Sequence, residues 1–474
     1  VCCALGLSYT YDQMKRVTKT QSTADGKTYI SENTYNQDKL VKTAHNTDSD
    51  STVSVEYNFG YDAIGRPTTV KVGQQTLSTT YYNNDGTVSM VVYGNDTSSA
   101  GQRIRYSYDE FKRLKGVQFS HVYNDVYQYE YGANGQVGRL IDTILNREYV
   151  SEYDTANRPM RIIQKENGNH LYTGQVEYDE YNNLKTFKEK VGTAGTVYQT
   201  DFTYDIENKP TQLSYGDTNN KVAYTYDGIG RMSQRTVTLN GTARTTTYGY
   251  AAGSNGAGNT TSLLSRITHP TIQYLYSYDN MENIIAWTQD DSTVTYEYDL
   301  MGQLIRVNDP TDPTSGSNGT TWTYEYDRGG NILNKKRYAY TTGALGTVLQ
   351  TISYGYDTTW KDKLVSYNGT TITYDAIGNP LNDGTWTYVW ENGRQLKQMS
   401  KSGTTASFQY NHDGLRVRKT VNNVVTNYTL HGKNIVHMTQ GDHTLHFYYD
   451  ASGKPAVVEF NGTKYAYEHD LQGD

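Results

Sequence analysis

The sequence predicts an all-β protein made of tandem antiparallel β-hairpins joined into one ribbon, and three observations support this fold class. The dipeptide Tyr-Asp occurs thirteen times in 474 residues, and looser copies at Tyr35, Tyr131 and Tyr410 bring the spacing to about twenty residues. Aromatic and polar residues alternate before each copy, and an Asp-x-x-Gly turn signal follows it. Self-similarity at such a period indicates a repeat architecture in which each copy is one supersecondary unit.

The first half of each unit is predicted to be a β-strand. Trp322, Tyr324 and Tyr326 alternate with Thr323 and Glu325, and several other copies begin in the same way. A period of two in β-branched and aromatic residues is typical of a strand whose two faces differ. A second short strand follows the turn, so the unit is a hairpin.

The turn between the two strands is predicted from Asp-x-x-Gly. Asp at the first turn position accepts a hydrogen bond from the backbone two residues on, and the residue three places later needs a positive φ. Glycine holds that position in nine copies: Gly65, Gly86, Gly135, Gly230, Gly302, Gly330, Gly378, Gly414 and Gly453. Asparagine, the next best residue for a left-handed backbone, holds it in three: Asn157, Asn182 and Asn208. Four copies break the rule and predict strained or different turns: Lys15, Lys39, Lys112 and Glu282.

Hairpins of this kind are barely stable alone, so we expect them to join edge to edge. Roughly eighteen hairpins at about 4.8 Å per strand would make a ribbon of about 170 Å. Because open twisted sheets seldom exceed about ten strands without curling, the ribbon is expected to wind around a central space instead of packing against a second sheet. No helix longer than about three turns is expected.

The amino-acid composition fits a curved β-sheet wall around a central space and not a filled hydrophobic core. Apolar residues make up 35% of the chain, but 47 residues are Tyr. Without Tyr the apolar share falls to about 25%, well below that of a typical globular core. The aromatic content of 13% argues against disorder, because disordered chains are poor in aromatic residues.

Charge and segment analysis exclude some partners. The net charge is −7 and there is no basic stripe, so no nucleic-acid partner is expected. No segment approaches the length of a transmembrane helix. The opening VCCALGL at Val1 is typical of an internal start and not of a signal peptide, so no targeting segment is expected in this chain. The two cysteines, Cys2 and Cys3, are adjacent and cannot supply a disulfide framework.

The repeated aspartates are the first candidates for chemistry. Asp62, Asp227, Asp299 and Asp375 would suit acid–base work if they were paired, but each begins a predicted turn. We therefore interpret them as turn residues. The tyrosine rows would suit sugar stacking, but a structural role is favoured.

Histidines form a second candidate group, because six of the ten lie between His412 and His469. The run His431, His437, His443 and His446 suggests a metal site, but its spacing fits no zinc pattern. On a strand His443 and His446 would face opposite sides of the sheet. We expect packed or solvated histidines.

Two weaker motifs complete the search. Asp48 and Asp50 resemble the first half of a calcium loop but lack its Gly and its closing Glu. Glycines 253, 256 and 258 lie in a Ser/Asn-rich loop without the strand–helix context of a phosphate loop. We assign no catalytic, cofactor-binding or metal residue, and we expect neither a cofactor nor an enzyme.

The unit Tyr-x-Tyr-Asp-x-x-Gly-Arg/Asn-Leu resembles the YD-repeat, or RHS-repeat, family over essentially the whole chain. The resemblance implies a hollow β-shell, a spiral ribbon forming a partial cocoon, over residues 1–465, as in bacterial polymorphic toxins and the teneurins. The ending YAYEHDLQGD resembles the opening of the family's core-associated segment, which we assign to residues 466–474. Its first strand and turn would take Tyr467, Asp470, Leu471 and Gly473.

The resemblance implies a non-catalytic shell that encloses or presents a C-terminal toxin cargo. In some members of the family the core-associated segment cuts itself with aspartates. This self-cleavage motif and the toxin are expected to be absent from this chain, so no catalytic residue of the family carries over. The alternative is a cell-surface adhesion or carbohydrate-binding array with a surface glycan as partner. Either function predicts a secreted or cell-surface bacterial protein.

Overall fold

The structure is a computed structural model that describes residues 6–24, 27–45, 55–94, 102–120, 122, 124–253, 259–315 and 319–473. Strands make up 63% of it. The described ranges contain no α-helix, and Pro313–Ser315 forms a single turn of 3-10 helix. The all-β prediction is confirmed. No helix within these ranges is long and apolar enough to cross a membrane.

The chain divides into two compact units. Unit 1 comprises residues 1–105 and 276–401, and unit 2 comprises residues 106–275 and 402–474. Within unit 2 we call residues 106–275 the first stretch and residues 402–474 the second stretch.

The strands of unit 1, with β9 and β23 crossing its boundaries, are β1 (Gly6–Tyr11), β2 (Val17–Ala24), β3 (Lys27–Asn36), β4 (Lys39–His45), β5 (Val55–Tyr61), β6 (Pro67–Val72), β7 (Gln75–Tyr82), β8 (Val88–Tyr93), β9 (Gln102–Tyr108), β23 (Gln273–Tyr278), β24 (Ile284–Gln289), β25 (Ser292–Tyr298), β26 (Leu304–Asp309), β27 (Thr320–Tyr326), β28 (Ile332–Ala339), β29 (Gln350–Tyr356), β30 (Leu364–Tyr367), β31 (Thr370–Thr371), β32 (Thr373–Tyr374), β33 (Pro380–Asn382), β34 (Thr387–Glu391) and β35 (Gln395–Lys401).

The remaining strands of unit 2 are β10 (Leu114–Phe119), β11 (Tyr127–Tyr131), β12 (Val137–Asp142), β13 (Arg147–Tyr153), β14 (Pro159–Glu166), β15 (Asn169–Tyr178), β16 (Leu184–Val191), β17 (Thr196–Tyr204), β18 (Pro210–Tyr215), β19 (Asp217–Tyr226), β20 (Met232–Leu239), β21 (Thr242–Ala252), β22 (Thr260–Thr268), β36 (Thr404–Tyr410), β37 (Arg416–Val421), β38 (Val424–His431), β39 (Asn434–Gln440), β40 (His443–Tyr449), β41 (Pro455–Phe460) and β42 (Thr463–Ala466).

Strands adjacent in sequence pair antiparallel, as a run of hairpins requires. Strands β1–β31 form one sheet of 31 strands, and β32–β42 form a second sheet of 11 strands. The register shifts by one residue at the tyrosine of successive Tyr-Asp pairs, as between Gly60 and Tyr61 in the β5–β6 pair and between Thr225 and Tyr226 in the β19–β20 pair. This bulge lets the chain leave the turn and re-enter the sheet.

The turn prediction is confirmed at the five glycines with the best repeat sequences. The φ angles are 84° at Gly65, 85° at Gly230, 76° at Gly302, 82° at Gly330 and 86° at Gly378. Only glycine adopts this region without a steric penalty from Cβ.

The exceptional copies divide into two kinds. Lys15, Lys112 and Glu282 keep the same turn with φ of 61°, 62° and 64°, so these turns carry strain. Lys39 instead begins β4 after a tighter connection in which Gln37 has a φ of 52°. The Lys39 copy therefore has a different turn, which is one of the two outcomes that the sequence predicted for the exceptional copies.

Unit 2 corrects one expectation, because two sheets pack against each other there. Leu213 and Val222 of the first stretch form a buried cluster with Tyr448 and Val457 of the second. The prediction that the ribbon would not pack on a second sheet is therefore wrong within this unit. The reason is that the chain-average composition hides a local concentration of aliphatic residues on β18–β20 and β41.

Candidate functional site: turn latches and a histidine seam

The aspartates of the Tyr-Asp pairs organise their own turns. Asp62 Oδ1 accepts hydrogen bonds from the backbone N–H groups of Ile64 (3.1 Å) and Arg66 (2.9 Å). Asp62 Oδ2 accepts a third from Arg66 Nε at 2.6 Å. The carboxylates of Asp227, Asp299 and Asp375 accept the same two backbone hydrogen bonds. The interpretation of these four candidates as turn residues is confirmed.

The arginine after the turn connects one hairpin to the next. Arg66 Cζ lies 4.3 Å from the centre of the Tyr82 ring, and Tyr82 Oη donates to the Pro67 carbonyl at 2.7 Å. The guanidinium is therefore held between a carboxylate of its own turn and the aromatic face of the following hairpin. We call this Asp–Arg–Tyr arrangement a turn latch.

Five copies of the turn latch are complete, with Arg–ring distances of 4.0–4.3 Å: Asp12–Arg16–Tyr35, Asp62–Arg66–Tyr82, Asp109–Arg113–Tyr131, Asp154–Arg158–Tyr178 and Asp227–Arg231–Tyr250. In other copies asparagine replaces arginine, as where Asn183 Nδ2 donates to Asp179 Oδ2 at 3.1 Å. Arginine and asparagine both occur at this position of the repeat because each supplies a hydrogen-bond donor to the turn carboxylate. The latch tyrosines use both the ring face and the hydroxyl in these contacts.

The latch also fixes the protonation state of its carboxylate. The backbone amide of Arg66 and its guanidinium hold the pKa of Asp62 below its usual range. The Arg158 amide and guanidinium lower the pKa of Asp154 in the same way. An aspartate of this kind stays ionised at neutral pH and is a poor general acid.

The histidine cluster predicted from sequence lies between the two stretches of unit 2. The His446 ring stacks on the Tyr198 ring with a centroid distance of 3.5 Å and an interplanar angle of 8°. His446 is 1% exposed, and its Nε2 lies 3.4 Å from Glu189 Oε2. Glu189 Oε1 also accepts a hydrogen bond from Tyr172 Oη at 2.8 Å.

His437 is the cross-strand neighbour of His446. The two residues pair directly between β39 and β40, and their rings are 6.0 Å apart. Burial and the adjacent His446 lower the pKa of His437 to about 4, although the Glu459 carboxylate opposes that shift. His443 is exposed whereas His446 is buried, which confirms that they face opposite sides.

Two further histidines of the second stretch contact aromatic residues of the first. The His431 ring lies 4.8 Å from the Phe187 ring, and the His412 ring lies 4.9 Å from the Tyr149 ring. Burial lowers the pKa of both imidazoles. We define the histidine seam as His412, His431, His437 and His446. In each of these rings Nδ1 has no hydrogen-bond partner among the described residues.

An ionic bridge crosses the same seam. Glu166 accepts a hydrogen bond from Arg147 Nη2 at 2.8 Å in the first stretch and another from Arg418 Nη2 at 2.7 Å in the second. Arg147 is 3% exposed, so its charge depends on Glu166 for compensation. The sequence analysis missed Glu166 and Glu189, because each follows a lysine and looks like a surface residue. Strand alternation offered the only signal, since Glu189 shares a face with Phe187 and Val191.

The seam borders a pocket that is lined largely by apolar and aromatic side chains. A cavity of about 410 Å³ is lined by Phe187, Phe202, Glu189, His431 and Tyr448, among other residues. Among the described residues, no three His, Cys, Asp or Glu side chains are grouped to hold a metal ion. Stacking between the Tyr198 and His446 rings stabilises the contact between the two sheets.

The other sequence candidates fall elsewhere. Six of them lie outside the described residues: Cys2, Cys3, Asp48, Asp50, Gly256 and Gly258.

The segment that begins at residue 466 packs on the first stretch. The Tyr467 carbonyl accepts a hydrogen bond from Arg235 Nη1 at 3.3 Å, and the His469 carbonyl lies 3.1 Å from His269 Nε2. Asp470 Oδ1 accepts from the Gly473 N–H at 2.8 Å and closes a turn there.

Comparison with known proteins gives sequence relatives over part of the chain. No protein-family model matches it. It is 31% identical over 184 residues to a tRNA3(Ser)-specific nuclease WapA of Bacillus spizizenii, a match that covers 37% of this chain and 7% of that protein. It is 30% identical over 184 residues to the tRNA nuclease WapA of Bacillus subtilis, with the same coverage.

A solved structure is similar over nearly the whole chain. The crystal structure of TcdB2-TccC3-Cdc42 matches with a TM-score of 0.73 and 16% identity, covering 97% of this chain and 26% of that one. The chain thus spans a small part of the length of the proteins it resembles. The Tyr-Asp repeat and the run of hairpins are those of YD-repeat, or RHS-repeat, proteins, and the chain shares its fold with the matched part of TcdB2-TccC3-Cdc42.

Proposed function

We propose that this chain is a non-catalytic part of a shell that encloses or presents a toxin domain. The observation that carries the proposal is the fold likeness to TcdB2-TccC3-Cdc42 over 97% of the chain. Sequence similarity to WapA proteins, which are named as tRNA nucleases, supports a toxin as the cargo. The matched WapA segment is 7% of each protein, so nuclease chemistry is not assigned to these hairpins.

The turn latches suit a structural role. Each latch ties a hairpin to the next through a charged hydrogen bond, a cation–π contact and a tyrosine hydroxyl. Cohesion of this kind acts along the ribbon and does not require a filled core beneath every hairpin. A wall built in this way would hold its form while leaving room beside it.

We also propose that residues 466–474 open the segment that closes the shell, continuing from the repeats at 1–465. The contacts of Tyr467 and His469 with Arg235 and His269 support this, since they fasten the segment to the first stretch. We propose a secreted or cell-surface location, in line with a toxin shell.

A glycan-binding array is the competing function. It would need tyrosine rings available for sugar stacking. In the five turn latches each tyrosine ring is covered by an arginine and its hydroxyl is donated to a carbonyl, as at Tyr178 and Arg158. These contacts favour the shell over the array.

Protease protection in the full-length gene product tests the proposal. A domain enclosed by the shell should resist cleavage under conditions that digest the same domain expressed alone. The Glu166→Gln substitution, which removes the ionic bridge of the seam, should increase its cleavage. Glu130→Gln, at an exposed ion pair with Arg139, is the matched control and should leave protection unchanged. Equal cleavage of the enclosed and isolated domains would refute the enclosing function.

A further inference from the structure

Three consecutive hairpins of unit 2 carry apolar residues at the tips of their turns. Tyr181 is 67% exposed, Ile206 is 100% exposed and Ile229 is 69% exposed. They project from the β15–β16, β17–β18 and β19–β20 turns, so neighbouring tips are about 10 Å apart along the ribbon. We call these three residues the turn rim. Three exposed apolar side chains in a regular row offer a candidate contact surface.

The chain itself shows how such a tip is covered. In unit 1, Ile377 occupies the same turn position as Ile229 but is only 3% exposed. It lies against Gly94, where an added Cβ would be 3.4 Å from Ile377 Cγ2. Gln75 Nε2 also donates to the carbonyl of Ala376 in that turn. The loop ends of other hairpins, opposite their Tyr-Asp turns, therefore bury this tip.

Unit 2 contains a similar contact at a polar tip. The Tyr127 hydroxyl donates to the Asn411 carbonyl at 3.5 Å. Asn411 begins a Tyr-Asp-type turn of the second stretch, and Tyr127 begins a first-stretch strand next to its loop. Tip-to-loop contact between two runs of hairpins thus occurs in both units.

The second stretch presents a matching edge that is bare. The loops at residues 422–423, 441–442 and 461–462 join β37–β38, β39–β40 and β41–β42, and they are exposed. Val424 beside the first of them is 51% exposed. These loops repeat every two strands, as the tips of the turn rim do. We call residues 422–425, 441–443 and 461–463 the loop edge.

We propose that the turn rim of one molecule binds the loop edge of a second copy of this chain. A second copy is the occupant because the chain carries both halves of a contact that it already makes internally, with three tips facing three loops at the same pitch. The two edges differ, so the association is head-to-tail and each end of an assembly keeps one free edge. This interaction surface goes beyond the proposed enclosing function and does not depend on it.

Sedimentation velocity of the purified chain over roughly 1–100 µM tests the contact, a range suited to a small interface. The wild type should show a sedimentation coefficient that rises with concentration. A rim variant carrying Tyr181→Lys, Ile206→Lys and Ile229→Lys should remain monomeric. A loop-edge variant carrying Val424→Lys and Thr463→Lys should remain monomeric as well. The substituted side chains are exposed, so circular dichroism and Tm should match the wild type in both variants.

Mixing the two variants distinguishes head-to-tail binding from non-specific association. An equimolar mixture should form a dimer and stop there, because the rim variant keeps its loop edge and the loop-edge variant keeps its rim. Val197→Lys is the control, since Val197 is 64% exposed on the same hairpin as Ile206 but lies on the strand away from the tip. A monomeric wild type, a mixture that forms no dimer, or a Val197→Lys effect equal to that of the rim variant would each overturn the proposal.

Discussion

The turn latches and the histidine seam hold the chain together in different ways. A latch joins residues close in sequence, such as Asp154 and Tyr178, near the surface and in repeated copies. The seam joins distant residues, such as Glu189 and His446, in a buried and unrepeated contact. Loss of one latch should therefore be a local defect, whereas loss of a seam residue should weaken the whole of unit 2. The two also respond to pH in different ranges.

The largest expected effect is on the ionic bridge of the seam. Glu166→Gln should lower the free energy of unfolding of unit 2 by about 3–5 kcal/mol, because the buried Arg147 loses its compensating charge. Chemical denaturation followed by far-ultraviolet circular dichroism measures this loss of unfolding free energy. Glu130→Gln, at an exposed pair with Arg139, should cost less than about 1 kcal/mol. Equal losses would mean that the bridge is no more important than a surface pair.

Acidification should weaken the seam before the latches. The folded-state pKa of His437 lies near 4, below its ordinary value of 6.5, so its contribution to stability is full above pH 6.5 and is lost as the pH falls from 6.5 toward 4. At pH 5 this corresponds to a loss on the order of 2 kcal/mol. The pKa values of His412 and His431 are lowered as well and act in the same direction. The turn aspartate Asp62, with its lowered pKa, keeps its contribution until the pH falls below the usual aspartate range.

A His437→Phe variant isolates this effect. Buried Asp142 has a pKa raised to about 6, so its protonation favours the folded state and opposes the histidines. The difference in pH dependence between wild type and His437→Phe cancels that contribution. Urea denaturation at pH 7.5 and pH 5.0 should show a smaller loss of stability in the variant. Identical losses would exclude His437 as a source of acid sensitivity.

The turn glycines give a smaller and local effect. Gly302→Val should destabilise by about 1–2 kcal/mol, because a β-branched residue fits a positive φ poorly. No heavy atom lies within 4 Å of the added Cβ at Gly302, so the cost comes from the backbone alone. Gly228→Val, at an equally open turn position without positive φ, is the control and should be close to neutral. Thermal unfolding of both variants measures the difference.

A single latch should contribute least. Arg158→Lys keeps the charge but loses the planar guanidinium that hydrogen-bonds Asp154 and covers the Tyr178 ring. We expect a loss of about 0.5–1 kcal/mol. Tm measurement of Arg158→Lys beside Arg161→Lys, at an exposed pair with Glu152, checks it. A larger loss at Arg161 than at Arg158 would show that the latch geometry is unimportant.

The sequence predicted the latch region better than the seam. The strand–turn–strand unit and the positive φ at Gly65 or Gly378 follow from local rules that act within one repeat. The role of the Arg66 position was not predicted, because its partner Tyr82 belongs to the next hairpin. The arginine and the tyrosine lie in neighbouring copies of the motif. Their pairing can therefore be read from the sequence once the fold shows that adjacent hairpins lie side by side.

The seam could not be predicted because its partners are far apart in sequence. His446 contacts Tyr198 and Glu189 across about 250 residues, and no local pattern encodes that register. Sequence reasoning placed His443 and His446 on opposite faces, which strand alternation dictates. It did not find that a second sheet covers one of those faces. A chain-average composition masked the aliphatic cluster around Leu213 and Val457 that makes this packing favourable.

Hydrogen exchange at two pH values tests most directly the claim that local latches and a distant seam hold the chain independently. Amide protection, corrected for intrinsic rates, would be compared at pH 7.5 and pH 5.0 for the seam strands β16, β39 and β40 and for the latch turns at Asp12 and Asp62, which lie in unit 1. We predict that seam protection falls at pH 5.0 while latch-turn protection is retained. A uniform fall in both regions, or no change in the seam, would contradict the account.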